Sequence, residues 1–492
     1  MKPIFSSFLL FCFSTLAVAQ TPISPEQTTT LYLDSIRQNR AALTAFFQQM
    51  PKGGDLHHHF SGSVYTETFV NEAIQRDYWL HRQTLEVKDS PKAPANDPNW
   101  VRFSTLQKNN QLLYYRQRLL RLWSVKDFIQ EESASDEHFF ATFDSFSVAS
   151  THILQTGLLE LKKRAQAEHV QYIETMRGSP SCSVNISLLN AYNSLLRKLQ
   201  SDRNEAATQD TLQSLFRQLL TPEVRQCVLD YTQELEALHR SLQLDDTTFT
   251  LRYQMHTIRV VPPVLVFSRL LTGFLAAESS PLIVGVNIVA PEDNPIAMQD
   301  YWLHMQFFKF CHQQFPQVQY AMHAGELTLG LVPSEELTWH INAAVKIAGA
   351  HRIGHGVDLP YEADVYTLLD LMRTNNIAVE INLTSNEFIL RVKDDRHPIL
   401  LYQEAGVPLV ISTDDAGVLR SSLTEQFVLL AHRYPSISYA HIKQFVYNSI
   451  THSFIEENTV KTALKNTLDR RFAAFEQLIA TKMLKKNTLI GN

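Results

Sequence analysis

Residues 51–62 read PKGGDLHHHFSG, and the fold turns on whether this segment is a strand. Gly53, Gly54 and Gly62 punctuate the chain on either side of a short run, LHHHF. On a strand, successive side chains point to opposite faces. His57 and His59 then face one way and His58 the other. A same-face pair of imidazoles two residues apart can share one metal ion. In a polar surface loop the same three histidines would have no common task, so the rest of the chain has to decide.

Seven more β-rich runs follow: VQYIETM, FTLRYQMHTIRVV, LIVGVNIVA, VQYAMHAG, HRIGHG, IAVEINL and VPLVIST. Most are separated by segments long enough for a crossover helix. Alternating strand and helix favours a parallel sheet, and eight such units favour a closed (β/α)8 TIM barrel of the α/β class. An open doubly wound sheet is the competing arrangement, but no glycine-rich phosphate loop follows the first run. Around the barrel the spacing predicts a helical extension over 20–50 and helical insertions near 64–165 and 185–245. Ser135, before an acidic first turn, is read as a helix start. The linker-like stretches DSPKAPANDPN and QSDRNEAATQD flank no self-contained half. They read as parts of insertions into one barrel domain over 51–480.

Composition narrows the function classes. Of 492 residues, 45% are hydrophobic and 19% charged, and the net charge is −6 with no basic block. A nucleic-acid partner is therefore not expected. The N-terminus, MKPIFSSFLLFCFSTLAVAQ, has a cationic start, an apolar run and Ala17-Val18-Ala19. That is the pattern of a secretory signal over 1–19, cleaved after Ala19, and it implies a secreted or periplasmic protein. No later segment is long and apolar enough to span a bilayer. Cys12 leaves with the signal. Cys182, Cys227 and Cys311 permit one disulfide at most, and no C-x-x-C pair supports a cysteine zinc site.

In a β/α barrel, chemistry gathers at the C-terminal ends of the strands. The first run ends in His57, His58 and His59. The fifth ends in HAGE, with His323 and Glu326; the sixth in GHG, with His355; the eighth in STDD, with Asp414 and Asp415. A lone histidine is more often structural, but four convergent ends are hard to explain by packing. Nitrogen and carboxylate ligands without thiolate suit catalytic zinc or a related divalent ion. Such an ion brings the pKa of bound water to about 7. Glu326, three residues past His323, can reach the same cavity as a general acid.

DLHHHFSG, MHAGE, RIGHG and STDD, in this order, resemble the adenosine deaminase family of the metal-dependent amidohydrolase superfamily. FFATFDSF and NSITHSFI add to the likeness. The signal and helical insertions look most like the secreted, growth-factor-like branch. The resemblance spans roughly residues 50–470 and implies roles by position. His57, His59, His323 and Asp414 would hold one Zn2+ per chain, with water as a fifth ligand. Glu326 would protonate purine N1. His355 would orient and deprotonate the attacking water, and Asp415 would meet purine N7. His59, Ser61 and Ala290 would line the substrate. Two positions depart from the family pattern. Ser61 stands where other members have Asp on the ribose 5′-hydroxyl. Ala290, followed by Pro291, stands where they have a Gly whose N–H meets purine N3. The catalytic set is complete, while recognition of the sugar and the purine's far edge differs.

Several residues carry blander readings. His58 is structural, His256 packs within the barrel, and Glu174 and Arg177 form an ion pair. Phe139, Phe140 and Phe143 are helix core, with a purine-stacking lid as the minority reading. Ser385 and Asn386 cap the seventh strand. The implied activity is zinc-dependent hydrolysis of adenosine or 2′-deoxyadenosine to the inosine product and ammonia. The alternatives are another 6-aminopurine as substrate, or a secreted adenosine-binding or signalling protein. The absence of a P-C-x-x-C element disfavours a cytidine-type deaminase. The insertions are expected to support a homodimer.

Overall fold

The computed structural model describes residues 23–90, 92, 97–130, 133–182 and 186–490. The expected signal segment, 1–19, lies outside them. The eight β-rich runs are strands: β1 Gly53–His59, β2 Val170–Gly178, β3 Thr250–Ile258, β4 Ile283–Val289, β5 Gln319–Ala324, β6 Arg352–His355, β7 Ala378–Ile381 and β8 Leu409–Ile411. Each pairs in parallel with its sequence neighbour. The seam closes just past β8. There the Asp414 N–H donates to the His57 carbonyl at 2.8 Å, and the His59 N–H donates to the Asp414 carbonyl at 3.2 Å. The protein is a (β/α)8 barrel, and its strands are buried on both faces, as a helix-wrapped parallel sheet requires.

The N-terminal segment forms two helices rather than one continuous rod, α1 Pro25–Ile36 and α2 Arg40–Gln49. Ser24 opens α1 with a capping box, and Asn39 caps α2 by accepting from the Ala42 N–H. Phe46 meets Phe475 of the last helix edge-on at 5.0 Å, and Phe47 stacks on Phe427 at 5.9 Å. These rings pin the extension to the outside of the barrel.

After β1 the chain turns through a single helical turn, α3 Phe60–Ser63, into the first insertion. The insertion is not all helix. Trp79–His81, Val87–Lys88 and Trp100–Arg102 pair as a small antiparallel sheet. Strands of two or three residues carry too few positions for an alternation to register. The helix expected at Ser135 is α4, Ser135–Ser150, but Ala134 holds the cap position and Ser135 is already helical. In the second insertion, helices Ile186–Ser201, Glu205–Leu219 and Pro222–Ser241 follow β2. A Cys182–Cys227 disulfide joins the end of β2's loop to the third of these, and Cys311 is a buried free thiol. No helix among the described residues is long and apolar enough to cross a membrane.

Candidate active site

The strand alternation expected of β1 is present. His57 and His59 face the barrel axis, whereas His58 turns outward and bonds the Thr175 hydroxyl at 3.0 Å. Burial pushes His58 down to about 3, so it stays neutral there. Asp414 sits beside the histidine pair because the seam hydrogen bonds place its backbone between them. His57 Nε2 lies 3.4 Å and His59 Nε2 3.1 Å from Asp414 Oδ1, and His59 Nε2 lies 3.1 Å from His323 Nε2. His355 enters from β6, with its Nε2 3.9 Å from Asp414 Oδ2. His57, His323, His355 and Asp414 offer ligand atoms within 4.8 Å of one another, and His59 groups in the same way with Asp414 and Asp415. Both groupings share Asp414; the four-residue one contains His355 and not His59.

The donor set fits a cation. Nε2 of His57 and of His355 and Oδ1 of Asp415 are buried without hydrogen-bond partners, a costly arrangement unless something polar meets them. On their far sides the rings are tied down. His57 Nδ1 lies 2.6 Å from Glu380 Oε2, and Glu380 accepts from Arg352 Nε at 2.5 Å. Against burial, the Arg352 guanidinium and His57 hold Glu380 below the usual carboxylate range. An ionised Glu380 makes His57 Nδ1 the protonated nitrogen and leaves the Nε2 lone pair for the centre. His323 Nδ1 lies 3.0 Å from Asn287 Oδ1. That oxygen also accepts the Ile288 N–H, so it is an acceptor, and His323 Nε2 is likewise free to ligate. Without a cation, burial works against a charge on His57, yet Asp414 and Glu380 outweigh it and hold a proton there up to about 10. A positive charge is favoured at this position, and a bound metal ion would supply one.

Glu326 sits on the turn after β5. Gly325 makes that turn at φ +72°, a conformation that suits glycine. The turn is held from two sides. Glu292 accepts the backbone N–H groups of Gly325 and Glu326 at 3.2 and 2.9 Å, together with a 2.6 Å contact from His340 Nδ1. The Gly325 carbonyl accepts from the Val357 and Asp358 N–H groups at 2.8 and 3.1 Å. Burial, then the charges of Asp414 and Glu292, push Glu326 well above the usual carboxylate range. Asp415 is raised in the same way by burial and by Asp414. It packs so tightly on α3 that a Cβ at Gly62 would fall 1.6 Å from its Oδ1.

The rim opens into a cavity of about 380 Å3, within the range of small-molecule sites. His59, Ser61, Ala290, His323, Glu326, His355, Asp414 and Asp415 all line it, so the sequence-predicted residues converge on one cavity except His57, which lies beneath. Phe139, Phe140 and Phe143 of α4 form a wall, beyond the helix-core role expected of them, and His256 lines the cavity rather than only packing. Ala290 adopts φ +84°, so the backbone keeps a glycine-like conformation under an alanine side chain. Two expectations are corrected. Glu174 pairs with Arg352 at 2.6 Å and not with Arg177. Ser385 and Asn386 lie in a helix, Leu383–Leu390, where Asn386 Nδ2 meets His355 Nδ1 at 2.9 Å. The holding residues Glu380, Asn287 and Glu292 were not singled out from sequence, and Asn386 was read only as a cap. A polar residue inside an apolar strand, as in IAVEINL or GVNIVA, was the available signal.

Residues 247–471 match the adenosine deaminase family. The chain is 31% identical over 174 residues to adenosine deaminase 2 of Dictyostelium discoideum, a match covering 35% of this chain and 30% of that protein. The aligned part is thus less than half of that relative's length. Among solved structures, the Arabidopsis N6-mAMP deaminase superposes with a TM-score of 0.56 at 18% identity, covering 87% of this chain and 99% of that one. An amidohydrolase from Burkholderia ambifaria with bound Zn superposes with a TM-score of 0.53 at 17% identity, covering 89% and 94%. At these identities the two structures speak for the barrel alone.

Proposed function

We propose that the protein is a zinc-dependent deaminase of adenosine and 2′-deoxyadenosine, with His57, His59, His323 and Asp414 holding one metal ion per chain. The observation that carries this reading is the convergence, in one cavity, of imidazole Nε2 atoms whose outer nitrogens are tied down and the carboxyl group of Glu326, which burial raises well above the usual carboxylate range. When bound, the ion supplies a water acidified towards neutral pH. Glu326, kept in its acid form by burial, donates to purine N1 and draws electron density away from C6. His355 and Asp415 flank the water and direct it at C6. Loss of ammonia from the tetrahedral carbon then leaves the 6-oxopurine. Phe139, Phe140 and Phe143 offer an apolar wall to the base, and Ser61 and Ala290 stand on the sides of the substrate.

A second reading keeps the chemistry and changes the substrate to another 6-aminopurine. It is favoured by one feature, the hydroxyl of Ser61 where the family pattern places a carboxylate. The assay that separates the two uses the zinc-loaded chain with adenosine, 2′-deoxyadenosine, adenine and N6-methyl-AMP. Loss of the 6-aminopurine absorbance and release of ammonia are followed together. The two nucleosides are expected to lead in kcat/KM by at least about tenfold. A lead for adenine or the nucleotide would replace the first reading with the second, and no turnover of any purine would end both.

The same reading takes residues 1–19 as a cleaved secretory signal on a barrel domain over 51–480 and places the protein in the secreted branch of the family. The Cys182–Cys227 bond supports an oxidising compartment. N-terminal sequencing of the exported protein should begin at Gln20. It also takes the insertions as dimer-forming, and light scattering at micromolar concentration should return twice the chain mass.

A further inference from the structure

The three inner histidines differ in what holds them from behind. His57 and His323 face acceptors, whereas His355 Nδ1 has the amide nitrogen of Asn386 within hydrogen-bond distance and Glu326 Oε1 farther off at 3.6 Å. The difference traces to a buried chain of hydrogen bonds that begins at a backbone amide, where the direction of donation is fixed. The Ile399 N–H donates to His397 Nδ1 at 3.2 Å. His397 is 3% exposed, and burial pushes it down to about 3, so it is neutral. A neutral imidazole that accepts at Nδ1 carries its proton on Nε2. His397 Nε2 therefore donates to Asn386 Oδ1, 3.0 Å away. With its oxygen committed, Asn386 can present only its amide nitrogen to His355 Nδ1, at 2.9 Å. Asn382 Nδ2 stands behind at 3.5 Å. His355 accepts at Nδ1, so its proton lies on Nε2, the atom that is buried, unpartnered and aimed at the centre.

We propose that Asn386 and His397 are positioning residues that lock His355 as an Nε2–H donor, excluding it both from the metal ligands and from the role of base. The proposal rests on the reading of the rim as a hydrolytic deaminase centre. A protonated Nε2 has no lone pair for a cation, so of the four-residue grouping His57, His323 and Asp414 remain as ligands, and His59 joins them through Asp414. The same N–H points at the water position and donates to the water oxygen, fixing its lone pair towards C6. The water proton then passes to the Asp415 carboxylate and from there to the departing ammonia, while Glu326 regains its proton from the C6 hydroxyl. In this arrangement His355 orients the water and does not deprotonate it.

The test is made on the zinc-loaded, full mature chain with 15N-labelled histidine. Long-range 1H–15N correlation spectra report which ring nitrogen of each histidine carries hydrogen. His355 is expected as the Nε2–H tautomer, and His57 and His323 as Nδ1–H tautomers with Nε2 bound. Asn386→Asp presents an acceptor to both rings. It should convert His355 to the Nδ1–H tautomer and lower kcat at least tenfold, with KM for adenosine within about threefold. His397→Gln, which can still donate to Asn386, should keep the wild-type tautomer of His355 and most of the turnover. Glu476→Gln removes the charge that pairs with Lys443 at 2.7 Å, on the outer helices away from the rim. It should leave tautomer and kcat unchanged and controls for general destabilisation. An Nδ1–H tautomer of His355 in the wild-type protein overturns the proposal, as does an Asn386→Asp variant that changes neither tautomer nor kcat. If the wild-type protein deaminates no purine, the functional reading fails, but the tautomer spectra still decide this inference.

Discussion

The two halves of the cavity are built by different means. On the chemical side three histidines and the acid are held from behind: Glu380 behind His57, Asn287 behind His323, Asn386 behind His355, and Glu292 under the turn that carries Glu326. On the recognition side the wall is Phe139, Phe140, Phe143, Ile258, Val289 and Ile389, held by packing. Its one carboxylate, Asp144, is exposed at the mouth. Hydrogen-bonded groups are fixed in direction, which transition-state chemistry needs. Packed groups exclude water and fit a shape, which binding needs. The difference teaches that substitutions on the two sides should fall on different kinetic constants.

The largest effect is expected at the metal. Asp414→Ala removes a carboxylate that touches both His57 and His59. It should empty the site, read by elemental analysis, and lower kcat/KM by on the order of 10³-fold or more, the scale of several kcal/mol of transition-state stabilisation. Retained zinc with normal turnover would remove Asp414 from the ligand set.

Next comes Glu326→Gln, which keeps the shape but cannot cycle a proton. It should lower kcat by on the order of 10²-fold with zinc retained. The pH profile gives the sign. Burial and the neighbouring carboxylates raise Glu326, so the active acid form is present at neutral pH and lost as pH rises through the raised value. Wild-type turnover should fall on the alkaline side, and that limb should vanish in Glu326→Gln. An unchanged alkaline limb would assign it to another group.

On the recognition side, Phe143→Ala should raise KM for adenosine by about tenfold while kcat stays within about threefold, the mark of binding shared by ground and transition states. A fall in kcat with KM unchanged would make the wall part of the chemistry and erase the contrast. Ser61→Ala should act in the same direction and less strongly.

The smallest effect is a gain. Ala290 holds φ +84°, which costs a residue with a Cβ roughly 1–2 kcal/mol. Ala290→Gly relieves that strain while loosening the unfolded chain. Thermal unfolding should show a rise in stability of up to about 1 kcal/mol, with kcat unchanged. A loss of stability would mean that the methyl group contributes packing that outweighs the strain.

The contrast also explains what was legible in the sequence. The barrel could be read because each strand is a compact apolar run with turn residues at its end, and the chemistry because His57, His323, His355 and Asp414 sit at those ends in short local motifs. The supporting groups were harder. Glu380 and Asn287 lie in mid-strand, and their meaning comes from residues more than 30 positions away, which no local pattern carries. Asn386 follows β7 at a position that looks like a simple cap, until the chain from Ile399 gives it a direction. The recognition wall is the least legible part. The helical spacing of Phe139 and Phe143 is the same for a core helix as for a cavity wall, and only tertiary packing decides which face meets the substrate. The small sheet at 79–102 escaped for a different reason, the brevity of its strands.

The central claim is that the rim works as a single-metal hydrolytic centre. The most direct test is to strip the protein with a chelator, return zinc in substoichiometric steps, and follow adenosine deamination after each addition. The rate should rise linearly from near zero and level off at one equivalent per chain. Full activity in the metal-free protein, or a rate that continues to rise to two equivalents, would contradict the account.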